Sequence, residues 1–394
     1  METKNIQLGI GNFSTFRPLK VGLYSFGKCH TIDKYFQVML MIDLMIDDPR
    51  YEPCILTDGT SLADEDLHKK YDGVLEFIDL RENDLNHLGL SAMIVIDPYS
   101  IPVIPYREIK VPIIYKEYGV AGVEAGTGYL VNRSSYRYAD LIVTESPFTR
   151  DEILRKYPTK KVIVGSPAFD YMFQTYEEDP RFEKGKKHVL WTPHHSVMSK
   201  ESFDLIEGGT YSTFVTFKDY LTGQFLEENP DVVLHIKYHP ILGKRYNAYC
   251  KANGIDDTFN RFLKSVKIHP RIFIHDKEDY HGLFYHSDII LNDSVSFTLE
   301  WVATRKPMIV LEDDNKSAYS PFGESLINDC YFRAKGVKEL SKFFSDKFFY
   351  DFKIFNRTFW LKKMMLDTGL FKSNSSILLN RIYDRYKKEG ESND

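Results

Sequence analysis

His194 and His195 stand side by side where the apolar run of VLWTPHHSVM ends, and two later segments finish in a similar way. DVVLHIKYHP closes on Lys237, Tyr238, His239 and Pro240, and SDIILNDSVS on Asp293, Ser294 and Ser296. Imidazole, ammonium and hydroxyl groups are the donors that hold phosphate oxygens. A helix opening near Ser296 would add unpaired N–H groups and partial positive charge, enough to seat a pyrophosphate. His194, His195, Lys237 and His239 could then stabilise a leaving phosphate. Each residue also has a plainer use. Ser294 or Ser296 can serve only as a helix N-cap, and a single histidine as a satisfied surface or core group. His194 and His195 with Asp293 could suggest a metal site, but adjacent histidines do not share a face as in H-x-x-x-H, and no third ligand is obvious. There is no G-x-x-x-x-G-K-[ST] and no strand-linked G-x-G-x-x-G, which excludes a P-loop enzyme.

These residues matter because of what precedes them. Short β-rich runs alternate with helical patterns along the chain, the signature of parallel sheets flanked by helices. The first half predicts strands at 20–25, 53–56, 93–96, 112–115, 141–143 and 162–164, and the alternation restarts at 188–191, 232–236, 272–274, 288–291 and 308–311. Between the two sets lies YMFQTYEEDPRFEKGKKH, polar and charged as an exposed connection is. The expected organisation is an N-terminal Rossmann-like unit over 1–180, a second such unit over 181–336, and a helical segment over 337–394. In an open parallel sheet, ligands sit beyond the carboxyl ends of the strands, which is where the His, Lys, Asp and Ser residues above fall.

A chain of 394 residues, 43% hydrophobic, can bury more than one core. With 51 basic and 56 acidic residues its formal net charge is -5, so no overall field attracts nucleic acid or an anionic membrane. Cys29, Cys54, Cys250 and Cys330 are scattered without a C-x-x-C spacing, which points to a reducing cytoplasm. The N-terminus lacks a signal-peptide core and no run of about 18 apolar residues occurs, so neither export by that route nor a membrane span is expected.

In the first half, SFGKCH places Lys28 and His30 after the first strand, and His30 is a base candidate whose plainer use is a solvent-facing helix start. YGVAGVEAGTGYL, rich in glycine, reads as a mobile loop over the cleft. The tail KFFSDKFFYDFKIFNRTFWLKKMMLDTGLFK mixes aromatics with lysines. It reads as a helix packed across both units, the alternative being peripheral contact with a lipid-linked acceptor at the inner membrane face.

SDIILNDSVSFTLEWVATRKPMIVLED resembles the C-terminal motif of the CDP-glycerol glycerophosphotransferase family, the teichoic-acid polymerase-like transferases. Ser287, Asp288, Asp293, Ser296, Lys306 and Pro307 match that motif, and Glu300 stands where the family usually has Asp. KYHP is similar to the family's Arg-x-His-Pro, LWTP to the strand opening its donor domain, and VIVGSPAFD to its Gly-x-Pro-x-x-Asp. The resemblance covers roughly residues 110–312. It implies an α/β GT-B fold, two Rossmann-like domains facing a cleft, with the donor held mainly by the second through His194, His195, Lys237, His239, Asp293, Ser294, Ser296 and Glu300. It also implies transfer of a phosphopolyol from CDP-glycerol or a similar CDP-activated polyol to a glycan or lipid-linked acceptor, with release of CMP and no metal or cofactor beyond the activated co-substrate. Two positions depart from the pattern. The family's first motif serine is Val295, and its N-terminal Trp-His-Gly appears as KEYG, with Tyr118 in the histidine's place and Glu117 in the tryptophan's. Glu117 becomes a candidate base beside His30, with His239 facing the leaving group. A nucleotide-sugar glycosyltransferase and a catalytically silent nucleotide-binding or assembly subunit are the alternatives.

Overall fold

The computed structural model describes residues 17–24, 33–57, 63–95, 108–116, 134–197, 212–276, 280–314, 319–345, 353–364 and 373–390. The first sheet contains β1 (Leu19–Tyr24), β2 (Tyr51–Thr57), β3 (Glu76–Asp79), β4 (Ala92–Val95), β5 (Ile113–Lys116), β6 (Leu141–Thr144) and β7 (Val162–Val164). The second contains β8 (Lys187–Thr192), β9 (Val232–Ile236), β10 (Ile272–Ile274), β11 (Ile289–Asn292), β12 (Met308–Glu312) and β13 (Phe332–Lys335). Their orders are β3-β2-β1-β4-β5-β6-β7 and β10-β9-β8-β11-β12-β13, with every pairing parallel. In each sheet the order reverses once, between β1 and β4 and between β8 and β11, and that reversal opens a crevice at the strand ends.

The central strands are continuous apolar runs because both faces of each sheet are covered. VVLHI of β9 and IILN of β11 are buried throughout. Alternate residues feed opposite cores. Val189, Trp191, Leu234 and Ile236 pack with Phe214, Leu242 and Phe262 on one side, while Leu190, Ile290 and Val310 pack with Phe284, Trp301 and Leu326 on the other. Two of the four edge strands, β3 (EFID) and β13 (FRAK), escape an apolar-run reading because each is short and carries charge. Ser146 and Ser320 each cap a helix whose first residue is proline, Pro147 and Pro321.

The tail divides between the two sheets. Trp360, Leu361 and Met364 of the helix Ile354–Met364 join the core beside Leu190 and Ile290. Arg357 of that helix is fully buried and donates to the carbonyls of Arg305 and Cys330. Leu378, Leu379 and Ile382 of the helix Asn374–Gly390 pack against Val21, Leu23 and Ile94 of the first sheet. No helix among the described residues is long and apolar enough to cross a membrane.

GSPAFD ties the last helix to the first sheet. Gly165 takes a φ of 137°, a conformation that favours glycine, and Ser166 caps the turn Pro167–Phe173. The buried Asp170 carboxylate then accepts from Ser373 Oγ (2.8 Å) and from the backbone N–H groups of Asn374 and Ser375 (2.7 Å each), capping the last helix. Asp170→Ala should lower unfolding free energy by about 1–3 kcal/mol, since buried donors lose their acceptor. Urea titration measures this, and a midpoint equal to that of the unsubstituted chain would show that the cap carries nothing.

Candidate functional site

The reversal point of the second sheet is built around one carboxylate. β8 and β11 run in register with Thr192 opposite Asn292. Thr192 Oγ1 donates to Asn292 Oδ1 (2.8 Å), and the Asn292 amide donates to the Ser294 carbonyl (2.7 Å) and to Thr298 Oγ1 (3.1 Å). The next residue, Asp293, is fully buried. Its Oδ1 accepts from the N–H of His194 (2.6 Å), and its Oδ2 accepts from the N–H (2.6 Å) and Oγ1 (3.0 Å) of Thr213. One side chain thus fixes the end of β8, the end of β11 and the start of the helix Phe214–Thr222. A carboxylate that accepts from several backbone and side-chain donors is held in a fixed pose.

On this frame the imidazoles of His194, His195 and His239 gather. His194 and His195 stack with centroids 4.2 Å apart, and His239 meets His195 edge-on at 4.2 Å. The neighbours differ in their partners. His194 Nδ1 lies 2.7 Å from Ser196 Oγ and accepts from the Ser196 N–H (3.3 Å), so its proton resides on Nε2. His239 Nδ1 accepts the N–H of Ile241 (3.3 Å) across Pro240, again leaving Nε2–H as donor. His195 Nδ1 is buried with no partner among the described residues. Desolvation first, and then the Arg245 charge, push the His195 pKa down to about 4, so it is neutral at pH 7. His239 is exposed on the rim, yet desolvation of its packed side, His195 and Lys237 lower its pKa too. Lys237, the residue after β9, is buried beside them. No group of three or more His, Cys, Asp or Glu among the described residues is arranged to hold a metal ion.

The remaining sequence candidates divide. Ser294 occupies the N-cap position of the helix Val295–Glu300, but its side chain makes no capping bond. The Ser296 side chain lies outside the described residues, as do Glu117, Tyr118, Lys28 and His30. Glu300 points inward, where Tyr280 Oη donates to its Oε2 (2.6 Å). Burial raises its pKa, opposed by Tyr280, His281 and Lys116. Lys116 is the last residue of β5, so a cation of the first sheet reaches a carboxylate of the second. Other motif residues serve the scaffold. Asp288 accepts the His188 N–H (2.7 Å), and Lys306 Nζ donates to the carbonyls of Phe284 (3.0 Å), Tyr285 and Ser287 (2.8 Å).

Glu145 lies outside the candidates legible in the sequence. It follows β6 directly, is fully buried, and accepts from Thr149 Oγ1 (2.8 Å) and Thr144 Oγ1 (3.0 Å). Desolvation raises its pKa, while its hydrogen bonds and the Lys116 charge oppose the rise. A carboxylate between a strand and a Ser-Pro helix start, VTESP, was its signal.

No family profile and no curated protein matches the chain. Solved structures do. S. aureus MnaA in complex with UDP superposes with a TM-score of 0.58 at 15% identity, covering 94% of this chain and 97% of that one. The Neisseria meningitidis UDP-GlcNAc 2-epimerase bound to UDP-GlcNAc gives 0.56 at 14%, covering 93% and 100%. The wall teichoic acid polymerase TagF, soaked with CDPG, gives 0.59 at 14%, covering 95% and 90%. At such identities the likeness is one of fold.

The geometry makes Asp293 testable. Asp293→Ala leaves buried N–H groups of His194 and Thr213 without an acceptor and should cost about 2–4 kcal/mol. Asp293→Asn, which keeps one acceptor oxygen, should lose less. Chemical denaturation measures both, and equal losses would show that the two oxygens are not used separately. The chain has the α/β GT-B fold, two Rossmann-like parallel sheets each with a single order reversal, shared with these nucleotide-linked structures.

Proposed function

We propose that this chain is an enzyme acting on a nucleotide-activated donor, and that it transfers a phosphopolyol from a CDP-linked donor to an acceptor hydroxyl in cell-surface polymer synthesis. The observation that carries this reading is the gathering of His194, His195 and His239 with Lys237 at the reversal point of the second sheet. Nε2–H donors on His194 and His239 and the Lys237 ammonium suit phosphate oxygens rather than an uncharged sugar. In the proposed step the acceptor oxygen attacks the phosphorus of the polyol phosphate. The bond from that phosphorus to the bridging oxygen breaks, and CMP departs with the electron pair. His239 and Lys237 stabilise the charge that grows on the leaving phosphate. The acceptor proton passes to a base, for which Glu117 and His30 are the candidates. The acceptor is a glycan or a lipid-linked glycan, and the GT-B likeness to TagF supports this choice of chemistry.

A second reading is favoured by the equal likeness to UDP-GlcNAc 2-epimerases. There the donor is a nucleotide-sugar and the reacting centre is carbon rather than phosphorus. Release of CMP from CDP-glycerol or CDP-ribitol, set against turnover of UDP-GlcNAc, separates the two.

His239→Ala should slow CMP release by on the order of a hundred- to a thousandfold, the cost of removing one preorganised donor, with the melting temperature unchanged. Because His194 is held by Asp293 and Ser196 while His195 presents an unpartnered Nδ1, their alanine variants should differ by more than about tenfold in turnover or donor affinity. Turnover confined to UDP-GlcNAc would replace phosphotransfer with nucleotide-sugar chemistry, and full activity in His239→Ala would remove that residue from the site.

A further inference from the structure

A second set of histidines lies beneath the connection between the two sheets, running from the start of β8 through β9 to the residue after β10. His188, His235 and His275 are all buried and form one unbroken chain. Arg181 Nη1 lies 3.1 Å from His275 Nδ1, His275 Nε2 lies 3.0 Å from His235 Nδ1, His235 Nε2 lies 3.0 Å from His188 Nδ1, and His188 Nε2 lies 2.9 Å from the Glu183 carbonyl. The two ends fix every proton. Arginine only donates and a carbonyl only accepts, so each imidazole must be neutral, accepting on Nδ1 and donating from Nε2. Phe182 lies flat on His235 with centroids 4.0 Å apart and planes 2° from parallel. Three consecutive residues of the connection, Arg181, Phe182 and Glu183, are therefore pinned to the sheet by three histidines from three strand regions.

We propose that this chain is a proton-sensitive latch: it holds the connection on the second sheet while all three imidazoles are neutral, and one added proton releases it. An imidazolium has two donors and no acceptor, so a proton on any member sets donor against donor at one of the links. A groove of about 950 Å³ bordered by Phe182, Glu183, Lys186, His188, His286 and Asp288 brings solvent to the His188 end of the chain. The charged neighbours are in place on every side. Asp179 holds Arg181, Asp276 and Lys237 act on His275, Asp288 holds the His188 backbone, and His286 packs against Phe182. Desolvation first, and then Arg181, push the His275 pKa down to about 4, while His235 is lowered further by desolvation, His275 and His188. The sign follows. Above pH ~6.5, the ordinary histidine value, latched and released forms are both neutral and the latch is fully present. As the pH falls from there toward about 4, the released histidines take up a proton that the latched chain refuses, and the latch weakens.

Amide hydrogen exchange over residues 179–186 of the full chain, corrected for the intrinsic effect of pH, reads the latch directly. Protection should be constant from pH 8 to about 6.5 and then fall about tenfold per pH unit for a one-proton release. Nitrogen NMR of the histidine-labelled chain at pH 7.5 should show His188, His235 and His275 as neutral Nε2–H tautomers. His235→Phe, which keeps a ring under Phe182 but breaks the chain, should lower protection at pH 7 and abolish the pH step. Flat protection from pH 8 to 4.5 in the unsubstituted chain, or an Nδ1–H tautomer at His235 or His275, would overturn the proposal. The unsubstituted chain decides the matter even if the variant does not fold.

Discussion

The buried carboxylate of Asp293 is the constraint on which the second sheet's rim depends. A carboxylate with no exposure to water is tolerable only if donors surround it, and here those donors come from the two ends of the connection between β8 and the helix Phe214–Thr222. Satisfying that one charge dictates where β8 stops, how His194 leaves it, and where the helix Phe214–Thr222 begins. The stacked imidazoles are a consequence: with the His194 backbone fixed, His195 is directed toward His239 at the end of the adjoining strand β9. A polar staple at the reversal point thus produces a preorganised set of donors, which is what stabilising developing charge without reorganisation needs.

A second electrostatic theme joins the sheets. Lys116 at the end of β5 acts on both Glu145 of the first sheet and Glu300 of the second, and both carboxylates are buried. Burial raises the pKa of both carboxylates, and the Lys116 charge opposes that rise in each. Asp170 adds a third tie by holding the helix Asn374–Gly390 against the first sheet, after the chain has already packed the helix Ile354–Met364 on the second.

Much of this was legible in the sequence, because burial on both faces writes central parallel strands as unbroken apolar runs. VVLHI, IILN and MIVLE announce themselves, and the polar residues that follow them fall on the rim. EFID and FRAK do not, since each is a short edge strand that carries charge. The direction of each polar side chain was also hidden. Asp293, Asp288 and Lys306 read as motif residues, yet they bond backbone groups brought close only by the parallel register. The His188–His235–His275 chain is invisible for the same reason: its links join residues 47 and 40 positions apart. A sequence pattern with a period of two or 3.6 carries no record of such contacts.

A crystal structure of the chain soaked with CDP-glycerol tests most directly whether the rim around Asp293 is a phosphate site. A phosphate oxygen is expected within hydrogen-bond distance, about 3 Å, of His239 Nε2, with Lys237 beside it and the Asp293 contacts to His194 and Thr213 unchanged. A nucleotide whose phosphates bind elsewhere, with His194, His195 and His239 touching only the base or nothing at all, would contradict it.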